Sequence, residues 1–101
     1  MKIVITRQAL GSLKDSLNFY LKEMEVPKEV VSRLKTDLFS ACKKLSTEPY
    51  LGQEEPFLAF LNLGHRRLLE GNFKIIYRIV NKQVIITDFF DTRRNPSKIK
   101  P

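Results

Sequence analysis

Arginine and lysine are the residues through which this chain could do chemistry, and they are unevenly placed. Residues 65–101 hold nine basic and three acidic side chains, while residues 1–64 hold nine and eight, so the C-terminal third carries most of the formal net charge of +7. Segregated positive charge of this kind suits an anionic partner, either nucleic acid or an acidic protein surface. The candidates for such contacts are Arg67, Lys74, Arg78, Arg93 and Arg94. If each neutralised one phosphate, log Kobs would fall against log salt with a slope of about −4.5. The same cations can instead be solvated strand-edge residues that discourage edge pairing.

Phosphodiester cleavage would ask for more than cations. It needs a base for the nucleophile, stabilisation of developing negative charge, and an acid for the leaving group. Arginine and lysine supply the second of these and are poor bases at neutral pH. His65, the single histidine, is the only side chain with an ordinary pKa near neutrality, and it opens the strand that carries Arg67. It can equally be a solvated or capping histidine. Tyr77 falls on an expected core face and reads as a packed aromatic. Cys42 lies on an apolar helical stripe and reads as core. Asp88 and Asp91 are expected to pair with Arg93 and Arg94. One cysteine excludes an internal disulfide and a Cys-rich zinc site, and no Gly-rich phosphate loop or Ser-His-Asp order occurs, so neither metal nor cofactor is expected.

These side chains need elements to hold them. Residues 2–6 are short and β-branched, an opening strand. From Arg7, Leu10, Leu13, Leu17, Tyr20/Leu21 and Met24 recur at helical spacing. Pro27 suits the start of a second helix, whose apolar stripe runs through Val30/Val31, Leu34, Leu38, Ala41/Cys42 and Leu45. The two helices form an antiparallel hairpin that needs a sheet to cover. Residues 46–64, broken by Pro49, Gly52 and Pro56, read as a connecting segment packed on the domain. A three-strand meander follows: 65–70, a Gly71-Asn72 turn, 73–80, an Asn81-Lys82 hairpin, and 83–90, apolar on both faces. Phe73, Ile75, Tyr77 and Ile79 should face the helices, leaving Lys74 and Arg78 on an open face that Arg67 joins in one of the two parities of 65–70. Arg93 and Arg94 follow the last strand, in a polar tail. The expected fold is α+β, a single domain ordered β-α-α-β-β-β over 1–101.

The chain has 101 residues, 43% hydrophobic and 29% charged, enough for one modest core. Its apolar runs fall short of the ~20 residues of a membrane span, and the N-terminus is too weakly apolar for a signal peptide. A cytoplasmic protein that makes no membrane contact is expected.

The run His65-Arg66-Arg67-Leu68-Leu69-Glu70-Gly71-Asn72-Phe73-Lys74-Ile75-Ile76-Tyr77-Arg78-Ile79, with Asp91-Thr92-Arg93-Arg94-Asn95-Pro96, resembles the basic meander and closing Arg-Arg motif of the RelE/ParE superfamily. Those proteins are toxins of type II toxin–antitoxin systems, and the likeness spans essentially the whole chain. The resemblance implies a cognate antitoxin whose C-terminal segment wraps the toxin, using grooves at residues 57–63 and at the helical hairpin. It implies one of two targets. The RelE-like branch cleaves messenger RNA on the ribosome, and Arg67, Lys74 and Arg94 match three of its catalytic positions, with His65 as a candidate base. Its tail tyrosine has no counterpart, since Lys100 stands there. The ParE-like branch, to which this plasmid-stabilisation-type sequence is more similar, poisons DNA gyrase by binding. The toxin alone is expected to be a monomer or weak dimer. A bare nucleic-acid-binding module retaining the fold is the third reading.

Overall fold

The β-branched run Ile3-Val4-Ile5 suits a pleated surface, and in a computed structural model describing residues 1–101 it lies in strand β1, Lys2–Ile5. Thr6 ends that strand and caps the next element. Its hydroxyl accepts the Ala9 N–H at 3.2 Å and donates to the Ile86 carbonyl at 2.8 Å, which ties the start of the helix to the sheet. Helix α1, Arg7–Lys22, buries Ala9, Leu13, Leu17 and Tyr20. Leu10 and Met24, expected on the same stripe, are exposed; Met24 lies beyond the helix end. Pro27 is the cap residue of α2, Lys28–Lys44, which faces Val31, Leu38, Ala41 and Cys42 inward. Burial pushes the Cys42 thiol up to about 12, so it is an inert core residue. No helix is long and apolar enough to cross a membrane.

Five strands form one sheet in the order β1-β5-β4-β3-β2. Strand β5, Gln83–Asp91, runs between β1, its parallel neighbour, and β4, Phe73–Val80. An interior position explains why its sequence is apolar on both faces. Asn81 and Lys82 both take positive φ, 49° and 60°, the two-residue turn that matches strand twist. Strand β3, Arg66–Glu70, pairs with β4, and the two-residue strand β2, Gln53–Glu54, closes the far edge. The helices cover Phe73, Ile75 and Tyr77, with Ile79 partly buried beside them, as the alternation predicts.

The opposite face is not the open surface expected. Leu58 and Ile99 cover Ile76 and Phe90 in a second, smaller core. Ile99 anchors a tail that reads as wholly polar, and Thr87, the extra residue of β5 opposite the Ile76/Tyr77 step, helps hold it. The Thr87 hydroxyl donates to the Lys100 carbonyl at 3.1 Å, and the Lys100 N–H donates to Asp88 Oδ2 at 3.0 Å. Asp88 therefore fixes the tail instead of pairing with an arginine.

The segment 46–64 also carries structure beyond a connector: β2, and a 3-10 helix at Pro56–Leu61. A 3-10 helix stacks residues three apart, so Leu58 and Leu61 point inward while Phe57 and Phe60 point out. Neither a 3.6 nor a 2.0 repeat describes that pattern. The segment meets the main core at Gly52, whose N–H donates to the Tyr77 hydroxyl at 3.0 Å; that hydroxyl donates in turn to the Pro49 carbonyl at 2.8 Å. A Cβ at position 52 would lie 2.3 Å from the Arg67 carbonyl oxygen and 2.7 Å from the Tyr77 hydroxyl. Gly52→Ala must therefore displace β3 backbone, at an expected cost of about 1–3 kcal/mol for overpacking. Urea unfolding checks this, with a lower midpoint at unchanged slope. An unchanged midpoint would mean that 46–55 shifts freely.

Candidate functional site

Register places Arg67, Lys74 and Arg78 on one sheet face: Arg67 stands opposite Ile76, diagonal to both of the others. Each is held by the segment that precedes β3. Lys74 Nζ lies 2.7 Å from Glu55 Oε1, and Glu55 is fully buried. The Arg67 guanidinium donates to the Glu54 carbonyl at 3.1 Å, and Arg78 Nε donates to the Leu63 carbonyl at 3.1 Å. Arg66, on the helix side, donates to the Gly52 and Tyr50 carbonyls and stacks 5.1 Å from the Tyr50 ring. Four cations of the meander thus fasten residues 50–63 to the sheet. Glu55 is the member that sequence reasoning missed. Its only signal is a carboxylate just before Pro56 at a helix start, and it accepts the Phe57 N–H at 2.9 Å.

The candidate base fares differently. His65 precedes β3 instead of opening it, is 3% exposed, and both ring nitrogens are enclosed without a partner. Burial, and then the nearby Arg78 charge, hold its pKa below the usual histidine value. It is a neutral, packed imidazole. Tyr77 is fully buried, as its strand face predicts.

Arg93 and Arg94 are not on the face shared by Arg67, Lys74 and Arg78. They stand on the helix side, where β5 ends beside the C-terminal half of α1. Arg93 donates to Asp91 from Nε at 3.1 Å and from Nη2 at 2.9 Å, the expected pairing. Tyr20 completes a knot: its hydroxyl donates to Asp91 Oδ2, Arg93 Nη2 donates to that hydroxyl, and the guanidinium stacks 5.1 Å from the ring. Burial and the Asp91 charge push the Tyr20 hydroxyl up to about 12. The knot walls a cleft of about 490 Å³ whose other lining includes Phe19, Met24, Asp15 and Arg94. Arg93 and Arg94 are both exposed there. The floor is apolar, Arg93 is paired with Asp91, and Arg94 and Asp15 are the charged groups left at the rim, a lining that suits a partly apolar polypeptide segment with a carboxylate to set against Arg94.

Burial alone would raise the Asp91 carboxyl, but the bonds from Arg93 and Tyr20 outweigh it and hold the group below the usual aspartate value. A depressed carboxylate stabilises the fold above its unfolded pKa of about 3.9, and that contribution is lost as pH falls through the folded value. The stability gap between the native chain and Asp91→Asn should therefore be widest at neutral pH and shrink below about pH 4. Thermal unfolding across pH 7 to 3 measures it; a gap that stays constant would remove ionic character from the knot.

Comparison with known proteins decides the family. The family model described as "ParE toxin of type II toxin-antitoxin system, parDE" matches residues 3–96. The chain belongs to the ParE toxin family. No curated protein sequence matches it significantly. Among solved structures, a chain of the "Chromosomal ParDE TA system from P. aeruginosa" is similar with a TM-score of 0.70, at 23% identity, over 90% of this chain and 95% of that one. At that identity the likeness establishes a shared fold. The α+β order expected for a ParE-like chain is thus the one observed, and the family match runs from β1 through the Arg93-Arg94 pair to Pro96.

Proposed function

We propose that this ParE-family protein arrests growth by binding DNA gyrase, without catalysis of its own, and that a cognate antitoxin neutralises it. The observation that carries this reading is the commitment of the groups a nuclease would use. Lys74 is spent on Glu55, the His65 ring is enclosed, and the Tyr77 hydroxyl bridges Gly52 and Pro49. General acid–base work needs a group within reach of substrate; the exposed arginines Arg93 and Arg94 can bind but are poor bases.

The antitoxin reading draws support from the helix side. Beside the Tyr20 cleft lies a second one, of about 280 Å³, with Val26, Val30 and Leu34 in its wall. A disordered segment that folds on binding could lay apolar side chains along both clefts and set a carboxylate against Arg94.

Pulse incorporation of thymidine and leucine after induction, in cells lacking an antitoxin, tests the target. Thymidine incorporation falling first, followed by gyrase-linked DNA breaks with purified enzyme, is the expected outcome. Leucine falling first would favour ribosome-dependent cleavage of messenger RNA and replace the gyrase reading.

A further inference from the structure

Both ring nitrogens of the chain's single histidine are enclosed without a partner, although buried polar atoms are nearly always hydrogen-bonded. His65 stands where the segment 53–63 joins the sheet. The Glu55 N–H donates to the His65 carbonyl at 3.0 Å, which carries the β2–β3 pairing one step past Glu54 and Arg66. Asn62 and Gly64 take positive φ, 56° and 76°, so the chain turns sharply on both sides of Leu63, just before the ring. His65 is therefore at the hinge of the fastened segment.

The charged groups on this sheet face disfavour an imidazolium. Glu55, paired beside it, spends Oε1 on Lys74 and Oε2 on the Phe57 N–H. Arg78, whose own bond goes to the Leu63 carbonyl, is close enough to oppose a positive ring. Arg67 and Lys74 add two further cations to the face. Asp88 keeps one oxygen unpaired, but it belongs to β5, two strands away from β3, and its other oxygen accepts the Lys100 N–H. A proton on His65 thus meets desolvation and like charge while the segment is closed, and water once the segment opens.

We propose that His65 is an acid-sensitive latch: protonation of its ring opens the segment 53–63 from the sheet while the helix-side core stays folded. The open form takes the proton at the ordinary histidine value of about 6.5. The closed form, whose ring is held below that value, takes it only at lower pH. The open population therefore rises as pH falls below about 6.5, and the closed segment is most stable above it. Opening removes the Glu54, Glu55 and Leu63 partners of Arg67, Lys74 and Arg78, and the Leu58 cover over Ile76. Acid thus frees the basic face that the closed form keeps engaged, whatever the target of the toxin.

Native-state amide exchange on the full chain, from about pH 7.5 to about pH 5.5 and corrected for the intrinsic pH dependence of exchange, tests the latch. Proton NMR follows the His65 ring in the same samples. The opening constant at the Glu55 and Phe57 N–H groups is expected to rise about tenfold over that range. It should be insensitive to dilute denaturant, while amides of α1 and β4 exchange only through global unfolding. In His65→Leu, which packs and cannot titrate, the segment should open equally at both ends of the range. His65→Gln gives the same comparison if the leucine variant fails to fold, and the ring titration of the parent decides if neither folds. A ring that titrates at the ordinary value while the segment stays protected would overturn the latch, because the closed form would then accommodate the charge. A tenfold rise retained in a folded variant without the histidine would do so too, as would segment amides that exchange only with the whole chain.

Discussion

Lys74→Ala is expected to lower the unfolding free energy by about 3–5 kcal/mol, the cost of leaving a buried charge without its partner. Glu55 is fully buried, and Lys74, with a side chain 15% exposed, is its counter-ion at 2.7 Å. The same carboxylate caps the 3-10 helix through the Phe57 N–H, so its disturbance should loosen the segment 50–63 as well. Pairing Lys74→Ala with Glu55→Gln keeps a capping oxygen and removes the stranded charge, and should recover much of the loss. Denaturant titration of the single and double variants gives the comparison. A loss below about 1 kcal/mol for the single variant would mean that Glu55 regains solvent at little cost. The sequence alone suggests that Lys74→Ala leaves the fold intact; its contact with Glu55 reverses that expectation, and any loss of arrest in this variant reports on folding as well as on contact.

Arg94→Ala should do the opposite, abolishing growth arrest while leaving the melting temperature unchanged. Arg94 is exposed and its guanidinium makes no bond within the chain; its backbone N–H donates to the Asp91 carbonyl at 3.0 Å, a bond that alanine retains. Truncating an arginine anchor at a protein interface typically costs 2 kcal/mol or more, so affinity for the target or antitoxin should fall roughly 30-fold. Arg93→Ala is the informative contrast, because it also breaks the Tyr20–Asp91 knot and should lower stability. Growth arrest and thermal melting together separate the two. Full arrest by a folded Arg94→Ala variant would remove this cation from the working surface.

The two readings of the basic third differ in what could be seen before folding. Charge segregation singled out the C-terminal third, and strand alternation placed Lys74 and Arg78 on the face away from the helices. Both are local properties, set by residue type and by a side-chain period of two. What the cations touch is not local. Glu55 lies 19 residues from Lys74 and Leu63 lies 15 from Arg78, so no window of the sequence joins them. Expecting one cluster of five also required the tail to stay on the strand's open face, whereas Arg93 turns to Tyr20, 73 residues away.

By itself the sequence determined the helical hairpin, the hairpin turns, the buried roles of Cys42 and Tyr77, the basic meander and the likeness to the ParE family. Each follows from periodicity, turn chemistry or a contiguous motif. Only the tertiary structure decided that β1 joins the sheet in parallel beside β5, that Leu58 and Ile99 close the second face, and that His65 is enclosed. It also gave Arg67, Lys74 and Arg78 partners in the segment before β3, and left Phe57 and Phe60 exposed. The physical reason is common to all of these: long-range packing chooses partners for charged and apolar groups whose own sequence neighbourhoods are neutral about the choice.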